Sequence, residues 1–336
     1  MRLNLVVCAA APAVSTRGMG RTDSPAALGE AARAAHDLGL AALLGGTKIS
    51  VAALDDGALS EPVLRNTDVA GRDELVDQLV DAIAAAGPAD AVGIGVPSVV
   101  DFATGTARHS VNVPLEGVPL RQLLSERVGV PVYVDNDANV AALAEAYDDD
   151  LQPLAGVLIM MTVGTGIGGG IVLNGRVFRG ATGAAPELGH ILVGADLANG
   201  APEPAARAPQ PGSLEALASG RALDALGRER GFPDGSAVVE AARAGDEHAL
   251  DAMRILGERL GIGIANVVNL FDPDLVVVGG GVSQAQDLLL EPARRTAHGF
   301  ILPGVGTRTE IRMARYGPQA GVRGAALLAL LEARQG

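Results

Sequence analysis

Short apolar runs and amphipathic segments alternate along the chain from Leu38 onward. The apolar runs predict strands at residues 40–44, 48–54, 91–96, 130–134, 156–163, 170–173, 176–179 and 275–278. Apolar residues at helical spacing predict helices at residues 73–86, 118–128, 139–146, 247–270 and 320–333. This alternation favours an α/β architecture with largely buried sheets. The two series of strands predict two similar lobes around a cleft.

Two segments depart from this pattern. Residues 1–38 precede the alternation, and we expect an N-terminal extension that is poorly ordered, with a short helix at residues 24–36. Its first residues superficially resemble a signal peptide, but the apolar core is short and the charged region is a single Arg. Residues 195–212 are rich in Ala and Pro and predict a surface loop.

Composition and charge limit the compartment and the kinds of partner to expect for this protein. The chain has 336 residues and a formal net charge of −13, which argues against a nucleic-acid-binding surface. It has one cysteine, Cys8, which excludes an internal disulfide framework and fits a reducing, cytoplasmic compartment. No apolar run approaches the roughly 20 residues that cross a bilayer. We therefore expect a cytoplasmic protein without nucleic-acid or membrane partners.

An acidic segment follows the strand predicted at residues 130–134. Its residue Asp137 could accept a proton from a substrate hydroxyl as the general base, with Asn136 orienting that substrate. The alternative is structural, because Asp is equally favoured as the cap of the helix that starts near Asn139.

Glycine-rich turns let backbone N–H groups approach phosphate oxygens. Gly164, Gly166 and Gly169 also satisfy the dinucleotide-binding pattern, but that pattern opens a helix, whereas a strand is predicted here. Gly45-Gly46-Thr47-Lys48 lacks the spacing of a Walker loop, so by itself it is either a phosphate loop or a hairpin turn with a solvated lysine.

Taken in order, these motifs resemble the ROK family of sugar kinases and repressors over about residues 39–331. The segments that carry the resemblance are Gly45-Gly46-Thr47-Lys48, residues 91–97, Asn112-Val113-Pro114, Asn136-Asp137-Ala138-Asn139, residues 164–170, Glu187-Leu188-Gly189-His190, Leu214-Glu215 and residues 272–281. Each is weak alone, whereas the ordered set is specific.

The resemblance implies a two-lobed actin-like ATPase (ribonuclease H-like) fold with a cleft between the lobes. It places the N-terminal lobe at residues 39–145, joined by the C-terminal helix at about 320–334, and the C-terminal lobe at residues 146–319. It also implies ATP and Mg²⁺ as cofactors and a homodimer or homotetramer as the assembly.

The resemblance also assigns site residues. Asp137 is the implied catalytic base, and the implied substrate-binding residues are Asn112, Asn136, Glu187, His190 and Glu215. The implied ATP- and phosphate-binding residues are Gly45, Gly46, Thr47, Lys48, Gly164, Thr165, Gly166, Gly279, Gly280 and Gly281. Two alternatives stay open: a structural role for His190, and a favourable helix-dipole interaction for Glu215.

Three positions depart from the family pattern. The cysteines that usually join His190 at a structural zinc are absent, so we expect no zinc and no other protein-held metal site. Leu43 stands where the first phosphate loop usually has an Asp that supports Mg²⁺ and its waters. Ser98 replaces a glycine after Val96-Pro97, which predicts a changed acceptor pocket.

Two functions follow from this sequence. The first is an ATP-dependent kinase that phosphorylates the primary hydroxyl of glucose or a glucose-like acceptor, including an amino sugar or the C7-cyclitols (carbasugars) of antibiotic biosynthesis. The second is a non-catalytic ROK-type sugar sensor or pseudokinase, which Leu43 favours and Asp137 opposes.

Overall fold

A computed structural model describes residues 5–9, 38–44, 48–55, 58–67, 70–88, 90–110 and 113–334. The helix expected at residues 24–36 lies outside these ranges, as do Gly45, Gly46, Thr47 and Asn112. No helix in the described ranges has both the length and the apolar character needed to cross a membrane.

Fifteen strands are seen in the described ranges. They are β1 (Leu5–Ala9), β2 (Leu38–Leu44), β3 (Lys48–Asp55), β4 (Ala58–Leu59), β5 (Val63–Asn66), β6 (Ala91–Val96), β7 (Ser98–Asp101), β8 (Thr106–Ser110), β9 (Val118–Pro119), β10 (Val132–Asn136), β11 (Val157–Val163), β12 (Ile167–Leu173), β13 (Arg176–Val177), β14 (Leu275–Gly279) and β15 (Glu310–Met313).

The same ranges contain nine α-helices. They are α1 (Arg72–Ala85), α2 (Leu120–Val128), α3 (Asp137–Glu145), α4 (Leu214–Ala218), α5 (Gly220–Glu229), α6 (Gly235–Arg243), α7 (Glu247–Phe271), α8 (Asp287–Phe300) and α9 (Ala320–Ala333). The expected α/β class is confirmed.

The chain divides into two compact units. The first unit comprises residues 1–156, 170–185 and 318–336, and the second comprises residues 157–169 and 186–317. The expected division after residue 145, with the last helix assigned to the N-terminal lobe, remains a prediction.

The first unit is built on a seven-stranded sheet in the order β10-β6-β1-β2-β3-β4, with β5 paired to β3. The Leu5–Ala9 strand of this sheet comes from the extension expected to be poorly ordered, so that expectation is wrong for these five residues, whose apolar sequence suits a strand. A second, three-stranded sheet has the order β7-β8-β9. Helix α9 packs closely on this unit, because Gly93 and Gly324 leave room only for the backbones of Ala325 and Val140.

The second unit contains the parallel pairs β11–β14 and β14–β15. These strands belong to a five-stranded sheet in the order β13-β12-β11-β14-β15. Helix α7 approaches α8 closely where Gly257 and Gly261 face the backbone of Leu289 and Ala293. Gly257 and Gly261 therefore serve the packing of these two helices.

The structure differs from the expected elements at two helix starts. Val118 and Pro119 form strand β9, paired with β8, instead of the first turn of a helix, so α2 begins at Leu120. Helix α3 begins two residues earlier than expected, at Asp137, because Asn136 caps it. Residues 195–212 contain neither helix nor strand, which confirms the predicted loop.

Candidate functional site

The junction between β10 and α3 positions Asp137. The side-chain Oδ1 of Asn136 accepts hydrogen bonds from the backbone N–H groups of Ala138 (2.9 Å) and Asn139 (3.2 Å). Asn136 is therefore the N-cap of α3, the role that the structural alternative had given to Asp137. Its Nδ2 donates to the carbonyl oxygen of Ser98 at 3.3 Å, which ties the junction to β7.

Asp137 lies in the first turn of α3 with its carboxylate partly buried. Its Oδ1 accepts a hydrogen bond from the backbone N–H of Ala138 at 2.9 Å. Burial raises the pKa of Asp137 to about 6, although hydrogen bonds from Ala138 and Asn136 act in the opposite direction. A carboxylate with this pKa is ionised at pH 7 and remains a useful proton acceptor.

A buried carboxylate, Asp135, supports the same junction from the strand side. It is 2% exposed. Its Oδ1 accepts from Nδ2 of Asn139 at 3.0 Å, and its Oδ2 accepts from Nε of Arg179 at 2.7 Å. The pairing of Asp135 with Arg179 has no local signal in the sequence, because the two residues are 44 positions apart.

Ser98, one of the departures from the family pattern, is buried between β7 and β8. Its hydroxyl lies 2.7 Å from the hydroxyl of Ser110, its partner in the β7–β8 register. The hydroxyl that Ser98 adds therefore has a hydrogen-bond partner on the neighbouring strand. Because Ser110 lies two residues before Asn112, this pair bears on the segment expected to contact the acceptor.

The predicted first phosphate loop is described only by its flanking strands. β2 and β3 pair antiparallel, with Leu43 opposite Ser50 and Leu44 opposite Ile49. This agrees with the predicted hairpin, whose turn residues lie outside the described ranges. Lys48 is the first residue of β3.

The second unit contains the predicted second phosphate loop at Gly164–Gly166, between β11 and β12. The backbone N–H of Gly164 donates to the carbonyl oxygen of Gly166 at 2.9 Å, which closes a tight turn with Thr165 exposed. A side chain at Gly164 would meet only the Gly166 oxygen, at 4.0 Å, so the turn faces open space that a ligand can enter. Strand β12 follows the turn directly, which excludes the helix that a dinucleotide-binding fingerprint requires.

The predicted adenosine-side turn lies beside this loop. β11 and β14 run parallel with Thr162 opposite Gly279. Gly280 has φ +89, and a Cβ there would collide with the backbone of Val163 at the end of β11. Gly281 has nothing within 4 Å of a Cβ position. Only glycine at position 280 allows this close approach.

Gly220, at the start of α5, also reaches the loop. Its backbone N–H donates to the carbonyl oxygen of Gly164 at 2.7 Å, and Ser219 caps the helix by accepting from Ala222. The amino end of a helix favours anions. The signal for this helix end in the sequence is the Ser219-Gly220 pair before a helical segment, and the expected site residues do not include it.

Three residues expected to contact the acceptor come together in the second unit. Nε2 of His190 lies 3.7 Å from Oε2 of Glu187. Glu215 accepts the backbone N–H of Ile167 at 2.8 Å, one residue after the phosphate loop. Burial raises the pKa of Glu187, His190 opposes this rise, and Glu215 adds a smaller increase. Glu215 thus has a specific partner beyond the helix dipole, and the His190 side chain is exposed enough to meet a ligand.

The fit of ATP and of Mg²⁺ differs at these residues. The open glycine turn and its amides suit phosphate oxygens. No group of three His, Cys, Asp or Glu side chains in the described part of the chain is arranged to hold a metal ion. Mg²⁺ commonly needs only one or two protein carboxylates beside nucleotide phosphates, and this chain has Leu43 at a position where the family resemblance implies one.

Comparison with known proteins places this geometry in a family. Residues 40–332 match the ROK family. A glucokinase from Halalkalibacterium halodurans is 36% identical over 249 residues, covering 69% of this chain and 74% of that protein. A xylose repressor from Caldicellulosiruptor bescii is 33% identical over 218 residues, covering 60% of this chain and 53% of the repressor.

A solved structure supports the same family assignment. The crystal structure of a ROK family glucokinase from Streptomyces griseus in complex with glucose and AMPPNP has a TM-score of 0.71 and 33% sequence identity. The match covers 88% of this chain and 99% of that glucokinase chain. The actin-like ATPase fold implied by the sequence motifs is confirmed, and the chain belongs to the ROK family.

Proposed function

We propose that this protein is an ATP-dependent sugar kinase. The observation that carries the proposal is Asp137, a carboxylate held at a capped strand–helix junction with its pKa raised to about 6. The open Gly164–Gly166 turn supplies the second requirement, a backbone cradle for phosphate. The glucokinase relatives support the same reaction class.

In this proposal Asp137 accepts the proton of the acceptor hydroxyl as its oxygen attacks the γ-phosphorus of ATP. The bond from that phosphorus to the bridging oxygen of ADP breaks, and ADP leaves with the bonding electron pair. Amides of the Gly164–Gly166 turn hold phosphate oxygens, and residues Gly279–Gly281 line the adenosine side. Lys48 and the Gly45–Thr47 turn complete phosphate binding. Because phosphoryl transfer needs little covalent participation by the protein, position and charge supply most of the rate.

The acceptor is a glucose-like molecule with a primary hydroxyl. Asn112, Glu187, His190 and Glu215 recognise its other hydroxyls, since carboxylates and imidazole form strong hydrogen bonds to them. Asn136 joins them through its amide nitrogen, which exchanges its 3.3 Å hydrogen bond to the Ser98 carbonyl for one to an acceptor hydroxyl, while its oxygen stays with the cap. Ser98 beside Ser110 alters the pocket, which favours amino sugars or C7-cyclitols of antibiotic pathways as candidate acceptors beside glucose.

Mg²⁺ would enter bound to the phosphates of ATP, where it neutralises their charge. With Leu43 at the usual Asp position, the protein contributes fewer contacts to the ion and its waters. We therefore expect a high Mg²⁺ requirement.

The direct test replaces Asp137 by Asn, which preserves size and removes the proton acceptor. ADP release with ATP, Mg²⁺ and acceptor should fall by about 10²–10⁴-fold, the usual contribution of a general base. Calorimetry should still detect acceptor binding. Asp101, the half-buried last residue of β7, provides the control variant Asp101→Asn, which keeps an oxygen for its hydrogen bond from Ala103 and should retain turnover. Unchanged turnover in Asp137→Asn would exclude Asp137 as the base.

The second candidate is a sugar sensor without catalysis. Leu43 favours it, and so does the likeness to a repressor. The two candidates separate cleanly, because a sensor binds a sugar with no ADP formed at any Mg²⁺ concentration.

A further inference from the structure

A largely buried cluster of charged and aromatic side chains lies beside the junction between β10 and α3, which positions Asp137. Arg179 follows β13, and its guanidinium lies 3.4 Å above the ring of Phe102, close to van der Waals contact. Its Nε donates to Asp135 at 2.7 Å, and its Nη2 lies 3.9 Å from Glu332 of α9. The Asp135 and Arg179 side chains are 3% and 19% exposed, so solvent screens this pair weakly.

The cluster reaches Asp137 through two short connections. Asp135 lies near the end of β10, two residues before Asp137 at the start of α3. Its other oxygen holds Asn139, which is 2% exposed and lies in the first turn of α3. One carboxylate thus fixes both sides of the junction, and Arg179 fixes that carboxylate.

We propose that Arg179 is a positioning residue for Asp137, acting through Asp135 and Asn139 to set the orientation of the base toward the acceptor hydroxyl. This inference rests on the proposed kinase function. Arg179 touches none of the reacting atoms in this assignment.

The chemistry of arginine explains why this position requires it. The planar guanidinium can stack on Phe102 while its edge donates to Asp135, whereas a lysine ammonium can do only one of these at a time. Arg179→Lys keeps the charge and loses the fixed geometry. Loss of geometry at a base reduces turnover, since a displacement of about 1 Å can cost as much as 10²-fold in rate.

Arg121 offers a matched control on the same ring. Its guanidinium lies 5.2 Å from the Phe102 centroid, but it donates to the backbone carbonyl groups of Phe102 and Ala103. It makes no contact with Asp135 among the described interactions. Arg121→Lys therefore disturbs the same aromatic neighbourhood without releasing the junction.

The first experiment compares kcat and KM for the two variants at saturating ATP and Mg²⁺. Arg179→Lys should lower kcat about tenfold or more while leaving KM for ATP near the wild-type value. Arg121→Lys should retain kcat. Thermal unfolding measures the folded fraction of each variant. A double variant, Arg179→Met with Asp135→Asn, removes both charges, so that no buried carboxylate is left without its partner. That double variant should fold well and remain slow.

The second experiment follows the carboxyl ¹³C chemical shift of Asp137 against pH, which needs no turnover. The wild-type midpoint should lie near 6, as burial dictates, and Arg179→Lys should lower it toward the ordinary aspartate range as water enters the loosened junction. Arg121→Lys should leave it unchanged.

These two readouts distinguish a failure of the positioning role of Arg179 from a failure of the proposed kinase function. A wild-type protein without turnover contradicts the kinase proposal, yet the carboxyl titration still decides the role of Arg179. Wild-type kcat together with an unshifted titration in Arg179→Lys would overturn the positioning role. A kcat restored in the double variant would do the same, because it would show that Arg179 only prevents a buried unpaired charge.

Discussion

The surroundings of Asp137 in the fold set the pKa of its carboxyl group. Its neighbour Asn136 caps the helix, so the Asp137 carboxylate does not serve as the cap. Burial raises its pKa to about 6, which costs native-state stability whenever the group is ionised. Under the kinase proposal, this cost in stability is the counterpart of a base that titrates close to neutral pH, a trade-off common at active sites.

The raised pKa predicts opposite pH responses for turnover and stability. Turnover should rise with pH through about 6 and then level off, because the ionised base is the active form. Between about pH 4 and 6 the native state binds more protons at Asp137 than the unfolded state, so this group's contribution to the free energy of unfolding falls as pH rises.

Asp137→Asn should abolish that stability dependence. Its Tm should exceed the wild-type Tm at pH 7, and the difference should vanish near pH 4, where the wild-type carboxyl is protonated. A lower Tm for Asp137→Asn at pH 7 would contradict the buried-base account.

Leu43 supports a second prediction at the scale of one side chain. Leu43→Asp introduces the carboxylate that the family resemblance implies for Mg²⁺ support, so under the kinase proposal half-saturation should occur at lower Mg²⁺ and kcat should rise. Leu44→Asp is the matched control at the adjacent position. If rate and Mg²⁺ dependence are the same in Leu43→Asp and wild type, this explanation of the departure fails.

At the scale of elements, variants of the α3 cap residue Asn136 distinguish its effect on stability from its effect on acceptor binding. Asn136→Ala removes the two cap hydrogen bonds and should cost about 1 kcal/mol of stability. Asn136→Ser retains a capping oxygen and should keep most of the Tm. If the Asn136 amide also contacts the acceptor, both variants raise KM for the acceptor. An unchanged KM in both would remove Asn136 from the acceptor site.

The turn after β14 offers a matched pair of glycines. Gly280→Ala should lower Tm, because residue 280 has φ +89 and a Cβ would collide with Val163. Gly281→Ala should leave Tm unchanged, since nothing lies within 4 Å, but it should raise KM for ATP if the nucleotide passes there. Equal Tm values for the two variants would contradict the described packing.

The elements show how far sequence reasoning extends. The strand at residues 91–96 and the helix at residues 320–333 have the predicted bounds, because strong apolar patterns define both. The start of α3 was misplaced, since the sequence Asn-Asp-Ala-Asn offers several capping residues and only geometry identifies Asn136. Strand β9 was missed because a two-residue strand has no periodicity to detect.

At the scale of the whole molecule, ordered motifs predicted more than any single pattern. The family and the fold followed from eight short segments in order, and the match over residues 40–332 confirms them. The partnership between Asp135 and Arg179 could not be predicted, because it joins distant segments through tertiary packing. Local sequence therefore identified the chemical groups, whereas the fold alone identifies what holds them in place.

The central claim is that this chain transfers phosphate from ATP to a sugar-like hydroxyl. The most direct measurement is ADP release by the purified protein with ATP and Mg²⁺ against hexoses, N-acetylated hexosamines, amino sugars and C7-cyclitols. The account predicts one acceptor class with high kcat/KM, and loss of that turnover in Asp137→Asn. Binding of an acceptor without ADP release at any Mg²⁺ concentration would contradict it and assign the protein to the sensors.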